Sequence, residues 1–352
     1  MNVRIFETLR ARTSWTLANN LLKRAGLAGA QGWDDAITKN TSKIDSNAEE
    51  RLLEHLRQSA LCSNKLSKFY RLEHEQISKL RIALEGLEVE KSKYSEVFPC
   101  ALSETELGTE NAVPKLVSIE RTEEGVGIVY ASVIKLTVKE DIPISDDFRN
   151  PDLIQSKYDE IIGLKYKAIQ TFNVIWIPHH DNLIEIRTDF PNGMSNTLAH
   201  EIQSQFKAMV QNLTMQKLDI GQPIDLSQLI EKMYENHEEG TVVELSFKTS
   251  TASIKNEKMR RTPTCLRNEL YHKGGKDALG TKIDPFKISI RWYFTIDGHD
   301  FSPELTLAGS SRGQLSANGK TNGQIVTGAV IQNCSGVIDY EFVKERIKNY
   351  LK

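Results

Sequence analysis

Phe286 to Asp297 reads FKISIRWYFTID, in which Phe286, Ile288, Ile290, Trp292, Phe294 and Ile296 alternate with Lys287, Ser289, Arg291, Tyr293, Thr295 and Asp297. Successive strand residues point to opposite faces, so this stretch is expected to be a strand with one dry face and one wet face. A one-residue slip would put the whole apolar set in water, which ties the register down. A parallel strand covered on both sides would read as a continuous apolar run. The alternation therefore predicts an antiparallel sheet covered on one side.

The rest of the chain supplies helices first and strands later. Val3, Phe6 and Leu9, then Trp15, Leu17, Leu21 and Leu22, fall at helical spacing, with Ser14 as a cap and Gly26 as a stop. After a polar linker (Thr38 to Asn47), Ser46 and Glu49 form a capping box ahead of Leu52, Leu53, Leu56 and Leu61, and a further helix carries Ile77, Leu80, Leu84 and Leu87. LSKFYRLE (66–73) admits a short strand, and the sequence does not decide it. Pro99 to Pro114 is a polar connector. Beyond it the period changes to two: LVSIE with IVYASVIKLTV, and FNVIWI (172–177) with LIEIRT (183–188), read as hairpins.

Asn150-Pro151 starts an expected helix, Ser195 or Asn196 caps another through Leu213, and Asp225 with Gln228 opens a third that Gly240 ends. VVELSF, ELTLAG, a strand around Gln324 to Ile331 and a helix from Asp339 to Leu351 complete the expectation. It is an α+β fold, with a helical domain (1–108) followed by an antiparallel-sheet domain (109–352, sub-boundary near 220) that has helices packed on one face.

With 352 residues and a net charge of −2, the chain can bury a large core and has no global pull toward polyanions. Cys62, Cys100, Cys265 and Cys334 lie far apart with no metal-ligand spacing, which fits a reducing compartment. No apolar run approaches the ~18 residues of a membrane span. The expected location is the cytoplasm, with no membrane contact and no cofactor.

Charge is concentrated locally. Lys255 to Lys276 holds seven cations (Lys255, Lys258, Arg260, Arg261, Arg267, Lys273, Lys276) against Glu257 and Glu269. Lys287 and Arg291 on the neighbouring wet face, with Tyr271 and Tyr293 available to stack, make this a candidate surface for DNA or RNA phosphates. Within it Arg267-Asn268-Glu269-Leu270-Tyr271-His272 resembles the RNxxxH motif of HEPN-type ribonucleases. The resemblance covers those six residues. It implies metal-independent cleavage in which Arg267 and His272 act on the 2′-hydroxyl and scissile phosphate and Asn268 orients them. HEPN domains are all-helical, whereas this motif lies between expected strands.

Other patterns fall short of chemistry. GQLSANGKT (313–321) has five residues between its glycines where a phosphate loop needs four. His179, His180 and Asp181 lack further ligands at a regular spacing, and His200-Glu201 lacks the second histidine of HExxH. Glu185-Ile186-Arg187 has arginine where a metal-dependent nuclease carries lysine, so no metal site is expected.

The leading expectation is a non-catalytic nucleic-acid-associated or scaffold subunit of a multiprotein complex, in bacterial phage defence for instance, docking a protein partner through its helical domain. The alternatives are the RNxxxH nuclease and a purely protein-binding assembly subunit.

Overall fold

A computed structural model describes residues 2–141, 162–214, 216–259, 264–296, 298–309 and 325–352. The expected helix after Asn150, the loop 313–321, Arg260 and Arg261 lie outside the described residues.

The elements run α1 (Asn2–Arg12), α2 (Trp15–Arg24), α3 (Trp33–Asn40), α4 (Ser46–Cys62), β1 (Lys65–Arg71), α5 (His74–Glu85), α6 (Lys93–Val97), α7 (Glu104–Leu107), β2 (Lys115–Arg121), β3 (Gly125–Asp141), β4 (Ile162–Pro178), β5 (Leu183–Asp189), α8 (Asn196–Gln211), α9 (Ser227–Glu235), β6 (Thr241–Lys248), β7 (Ile254–Lys258), α10 (Leu270–Leu279), β8 (Asp284–Arg291), β9 (Phe294–Ile296), β10 (His299–Phe301), β11 (Glu304–Ala308), β12 (Ala329–Gln332) and α11 (Val337–Leu351). The fold is α+β, with N-terminal helices followed by a large antiparallel sheet. No helix among the described residues is long and apolar enough to cross a membrane.

One ten-stranded sheet runs β2-β3-β4-β5-β1-β12-β11-β8-β6-β7, every described pair antiparallel. β1 comes from the segment expected to form the helical domain, yet it sits mid-sheet between β5 and β12. Lys65, Ser67 and Phe69 face one side of the sheet, while Leu66 and Tyr70 face the other. That pattern gives β1 two buried faces and blurs the amphipathic signal that would mark it as a strand.

Helices cover both faces at this end of the sheet. α5 (Ile77, Leu80, Leu84) and α8 (Ile202, Phe206, Val210) pack on Ile128, Ile175, Ile184 and Ile186. On the opposite side α9 (Leu229, Ile230, Met233) and α11 (Tyr340, Val343, Ile347) pack with Ile288, Ile290, Leu305 and Ile331. Helices α1 to α4 close a third core around Phe6, Leu9, Leu22, Leu52 and Leu56.

FKISIRWYFTID is not one strand: β8 ends at Arg291, and Phe294–Ile296 pairs with β10 in a separate ribbon. The break lies at Trp292, whose backbone N–H donates to Pro303 and whose indole packs beside Gly240. Asp45, not Ser46, caps α4, accepting from the Ala48 amide at 2.7 Å. α9 ends at Glu235, and Gly240 instead turns the chain into β6 at φ +52. A Cβ there would sit 2.6 Å from Ile290 and 2.8 Å from the Trp292 Nε1, so Gly240→Ala is expected to cost about 1–3 kcal/mol in denaturant unfolding. A midpoint equal to wild type would contradict that packing.

Register also concentrates charge inside the molecule. Lys65↔Asp189 and Ser67↔Arg187 pair across β1 and β5, which puts these side chains and Glu185 on one buried face. Asp189 bonds Lys65 at 2.6 Å and Arg12 of α1 at 2.9 Å. Arg187 lies between the rings of Trp176 and Tyr340, bonds Glu185 at 2.8 Å and reaches Glu341 at 3.2 Å. Burial alone would raise both carboxyls, but Arg12 and Lys65 hold Asp189, and Arg187 and Lys344 hold Glu185, below the ordinary carboxylate range.

These two groups give stability that is present above the unfolded carboxylate value of about 4 and is lost as pH falls through their lower native values. Asp339, raised mainly by burial, opposes them. Net, denaturant midpoints are expected to drop as pH is lowered below about 4. A midpoint that holds or rises through that range would contradict the charged state assigned to the pair.

Candidate ligand-binding cleft

The basic segment folds as β7, a short 3-10 turn and α10, and the sheet divides its cations between two faces. Lys258 pairs with Glu244 across β6 and β7, and Lys287 and Arg291 share that polar face. There they are neutralised: Glu244 bonds Lys258 at 3.2 Å and also Lys287, while Arg291 Nε donates to Glu304 at 2.9 Å. Burial pulls the Glu244 carboxyl up, but the two lysines hold it below its ordinary value. Tyr293 is half-exposed beside Arg291.

Lys255 and Glu257 alternate with Lys258 and point to the other face, where α10 lies against β6 and β7. Between the helix and the strands opens a cleft of about 280 Å³, walled by Phe247, Thr249, Ser253, Lys255, Tyr271 and Lys276, with Glu257 and His272 also lining it. Lys255, Lys273 and Lys276 are exposed, and no carboxylate among the described residues forms an ion pair with them. Tyr271 is 75% exposed at the same rim.

His272 is buried. Its Nδ1 lies 2.6 Å from Glu257 and its Nε2 lies 2.8 Å from the Tyr234 hydroxyl, which Lys276 also reaches at 3.2 Å. A neutral imidazole satisfies every link: Nδ1–H donates to Glu257, the phenol donates to Nε2, and Lys276 donates to the phenol oxygen. Glu269 caps α10 by accepting from the His272 amide at 2.7 Å. The chain Glu257–His272–Tyr234–Lys276 thus fastens α10 to β7 and α9.

Arg267 lies elsewhere in the fold's logic. Its Nε donates to the Tyr234 carbonyl at 2.8 Å, Nη2 to Met233 at 2.6 Å and Glu239 at 3.2 Å, and Nη1 to Gly240 at 3.1 Å and the Cys265 sulfur at 3.5 Å. A guanidinium has five N–H groups, and all five are engaged. Met233 and Tyr234 belong to the last turn of α9, whose carbonyls have no partner within the helix. Arg267 is therefore a helix C-cap reaching in from a distant loop, 4% exposed. Asn268 is exposed, and none of the hydrogen bonds of this cap involves its side chain. The six-residue motif does not converge on one ligand position.

The remaining candidates resolve similarly. Glu185 and Arg187 are fully buried against each other. His179 and His180 are exposed, His179 bonds the Thr122 carbonyl, and Asp181 pairs with Lys348 at 2.9 Å. Among the described residues no cluster of three or more metal-capable side chains is found.

Sequence reading missed Tyr234 and Glu257 as partners of His272. The strand IKNEK has no apolar alternation to announce it and forms by pairing with the edge of β6. Searches for relatives return no matching family model, no matching curated protein and no matching solved structure.

Proposed function

We propose that this chain is a non-catalytic binding subunit that holds single-stranded nucleic acid at the rim of the α10–β7 cleft, working in the cytoplasm as part of a larger assembly. Lys255, Lys273 and Lys276 meet backbone phosphates, and the exposed ring of Tyr271 offers a stacking platform for a base. The observation that carries this reading is the contrast in charge pairing. The polar-face cations are matched to carboxylates, whereas Lys255 and Lys276 of the cleft and the nearby exposed Lys273 form no ion pair among the described residues, Glu235 feeling Lys276 only at longer range. The N-terminal helices, which bury their apolar sides in their own core, remain the surface for a protein partner.

The nuclease reading draws less support from the same geometry, because Arg267 has no N–H left for a phosphate and His272 is turned toward Tyr234 and Glu257. The test is the salt dependence of binding to a labelled single-stranded oligonucleotide. Each lost phosphate contact reduces the slope of log K against log salt by about 0.7, so Lys255→Glu with Lys273→Glu should flatten it by about 1.4 and weaken binding at low salt. Unchanged affinity and slope in that double variant would remove the proposal.

A further inference from the structure

Below its lysine rim the α10–β7 cleft has an interior with a chemistry of its own. At about 280 Å³ it falls at the small end of ligand sites, which run from about 300 to 1,000 Å³, so it holds one nucleotide and not a run of them. Phe247, Leu279 and Ile283 give it an apolar wall against which a flat ring can rest. One carboxylate stands beside that wall. Glu257 gives Oε2 to the His272 Nδ1 at 2.6 Å, a bond that fixes the side chain in place. Its Oε1 has no hydrogen-bond partner among the described residues, and 20% of the side chain remains exposed where it lines the cleft. An oriented acceptor in a half-closed site calls for a donor from the ligand.

The helix wall is bare at the matching place. Gly274 and Gly275 both interrupt α10, although glycine is the poorest helix former after proline. Neither has a positive φ, and a Cβ built on either would meet nothing within 4 Å. The fold itself therefore has no steric need for glycine there. Gly275 lines the cleft, and its missing side chain leaves room for a ligand to lie against the helix.

We infer that the interior takes a single guanine nucleotide, with Glu257 accepting from the guanine N1–H and N2 amino group and Lys255 and Lys276 meeting its phosphate. The inference rests on the reading of this cleft as a single-stranded nucleic-acid site, and adds to it a preference for one base, unstacked from the strand. Oε1 is open and Oε2 keeps a lone pair beside the imidazole N–H, so two adjacent acceptors meet two adjacent donors. Guanine is the base that carries two adjacent donors on its pairing edge. Adenine and cytosine set a ring acceptor beside the amino group, and thymine flanks its one N–H with carbonyls, which a carboxylate repels.

Two measurements on the full chain test this. In saturation-transfer NMR with free 5′-monophosphates, wild type should give a signal at the base protons of guanosine monophosphate and none from thymidine monophosphate. In anisotropy titrations it should bind an oligothymidylate carrying one central guanine about tenfold tighter than oligothymidylate alone, the scale of one bidentate base contact. Glu257→Gln still accepts from the His272 Nδ1–H through its amide oxygen but turns an NH2 group toward the ligand, and Gly275→Leu fills the interior while favouring the helix. Each should abolish the guanosine signal and bring the strand ratio to one. No guanosine signal in wild type, or a thymidine signal of equal size, overturns the inference whatever the strands do. So does a guanosine signal that survives in both variants. The strands judge the rim separately: salt-dependent binding of oligothymidylate without a guanosine signal leaves the rim reading standing, and a guanosine signal without strand binding upholds the base assignment while removing the strand.

Discussion

Arg187→Ala should destabilise the chain by about 4 kcal/mol, the largest effect expected of any single substitution here. The guanidinium is fully buried, and removing it leaves Glu185 charged, 0% exposed and short of its bonds at 2.8 and 2.9 Å. It also empties the space between Trp176 and Tyr340, where the cation sits 4.3 and 4.2 Å from the ring centres. The Tyr340 hydroxyl still donates to Glu185 and the Ser67 hydroxyl remains beside it, but neither is charged, and the remaining cation, Lys344, is paired with Glu341. Urea unfolding of the purified variant measures the loss. A cost below about 1 kcal/mol would mean that Glu185 takes up a proton instead, and that the ion pair contributes little.

Arg267→Ala should cost about 3 kcal/mol for a different reason. Four carbonyls, at Met233, Tyr234, Glu239 and Gly240, lose their donor together at a buried site, and each unpaired buried carbonyl is costly. Arg267→Lys keeps three N–H groups, so it should recover part of the loss, but one ammonium cannot span acceptors that a planar fork bridges. A catalytic arginine would behave in the opposite way: its removal abolishes activity and leaves stability near wild type. The denaturation midpoints of the two variants therefore separate a cap from an active-site residue without any assay of cleavage.

Much of the architecture could be read from the sequence wherever one face of an element is dry. The stripe Leu198, Ile202, Phe206 marks α8, with Ser195 the one of its two candidate caps that accepts from the Leu198 amide, and the period-two runs mark β2 to β5. β1 and β7 were hard to see for opposite reasons, one buried on both faces and the other polar on both. The long strand beginning at Phe286 was overextended, because alternation continues through Trp292 while the backbone turns to meet Pro303.

The candidate site was legible only as composition. Counting cations between Lys255 and Lys276 found the right neighbourhood, but the period of the strand decides which lysines share a face, and that strand carried no signal. The RNxxxH spacing was present in the chain as written. What five donors and an imidazole do there depends on Tyr234, Glu239 and Glu257, which lie 15 to 38 residues away in sequence.

The central claim divides the basic segment into residues that hold the fold and residues that face a ligand. One anisotropy titration of a labelled single-stranded oligonucleotide, run side by side on wild type, Lys255→Glu with Lys273→Glu, and folded Arg267→Lys, tests it most directly. The account predicts that the lysine double variant alone loses affinity, while Arg267→Lys binds as wild type does despite its lower stability. Loss of binding in Arg267→Lys together with wild-type binding by the lysine variant would contradict it.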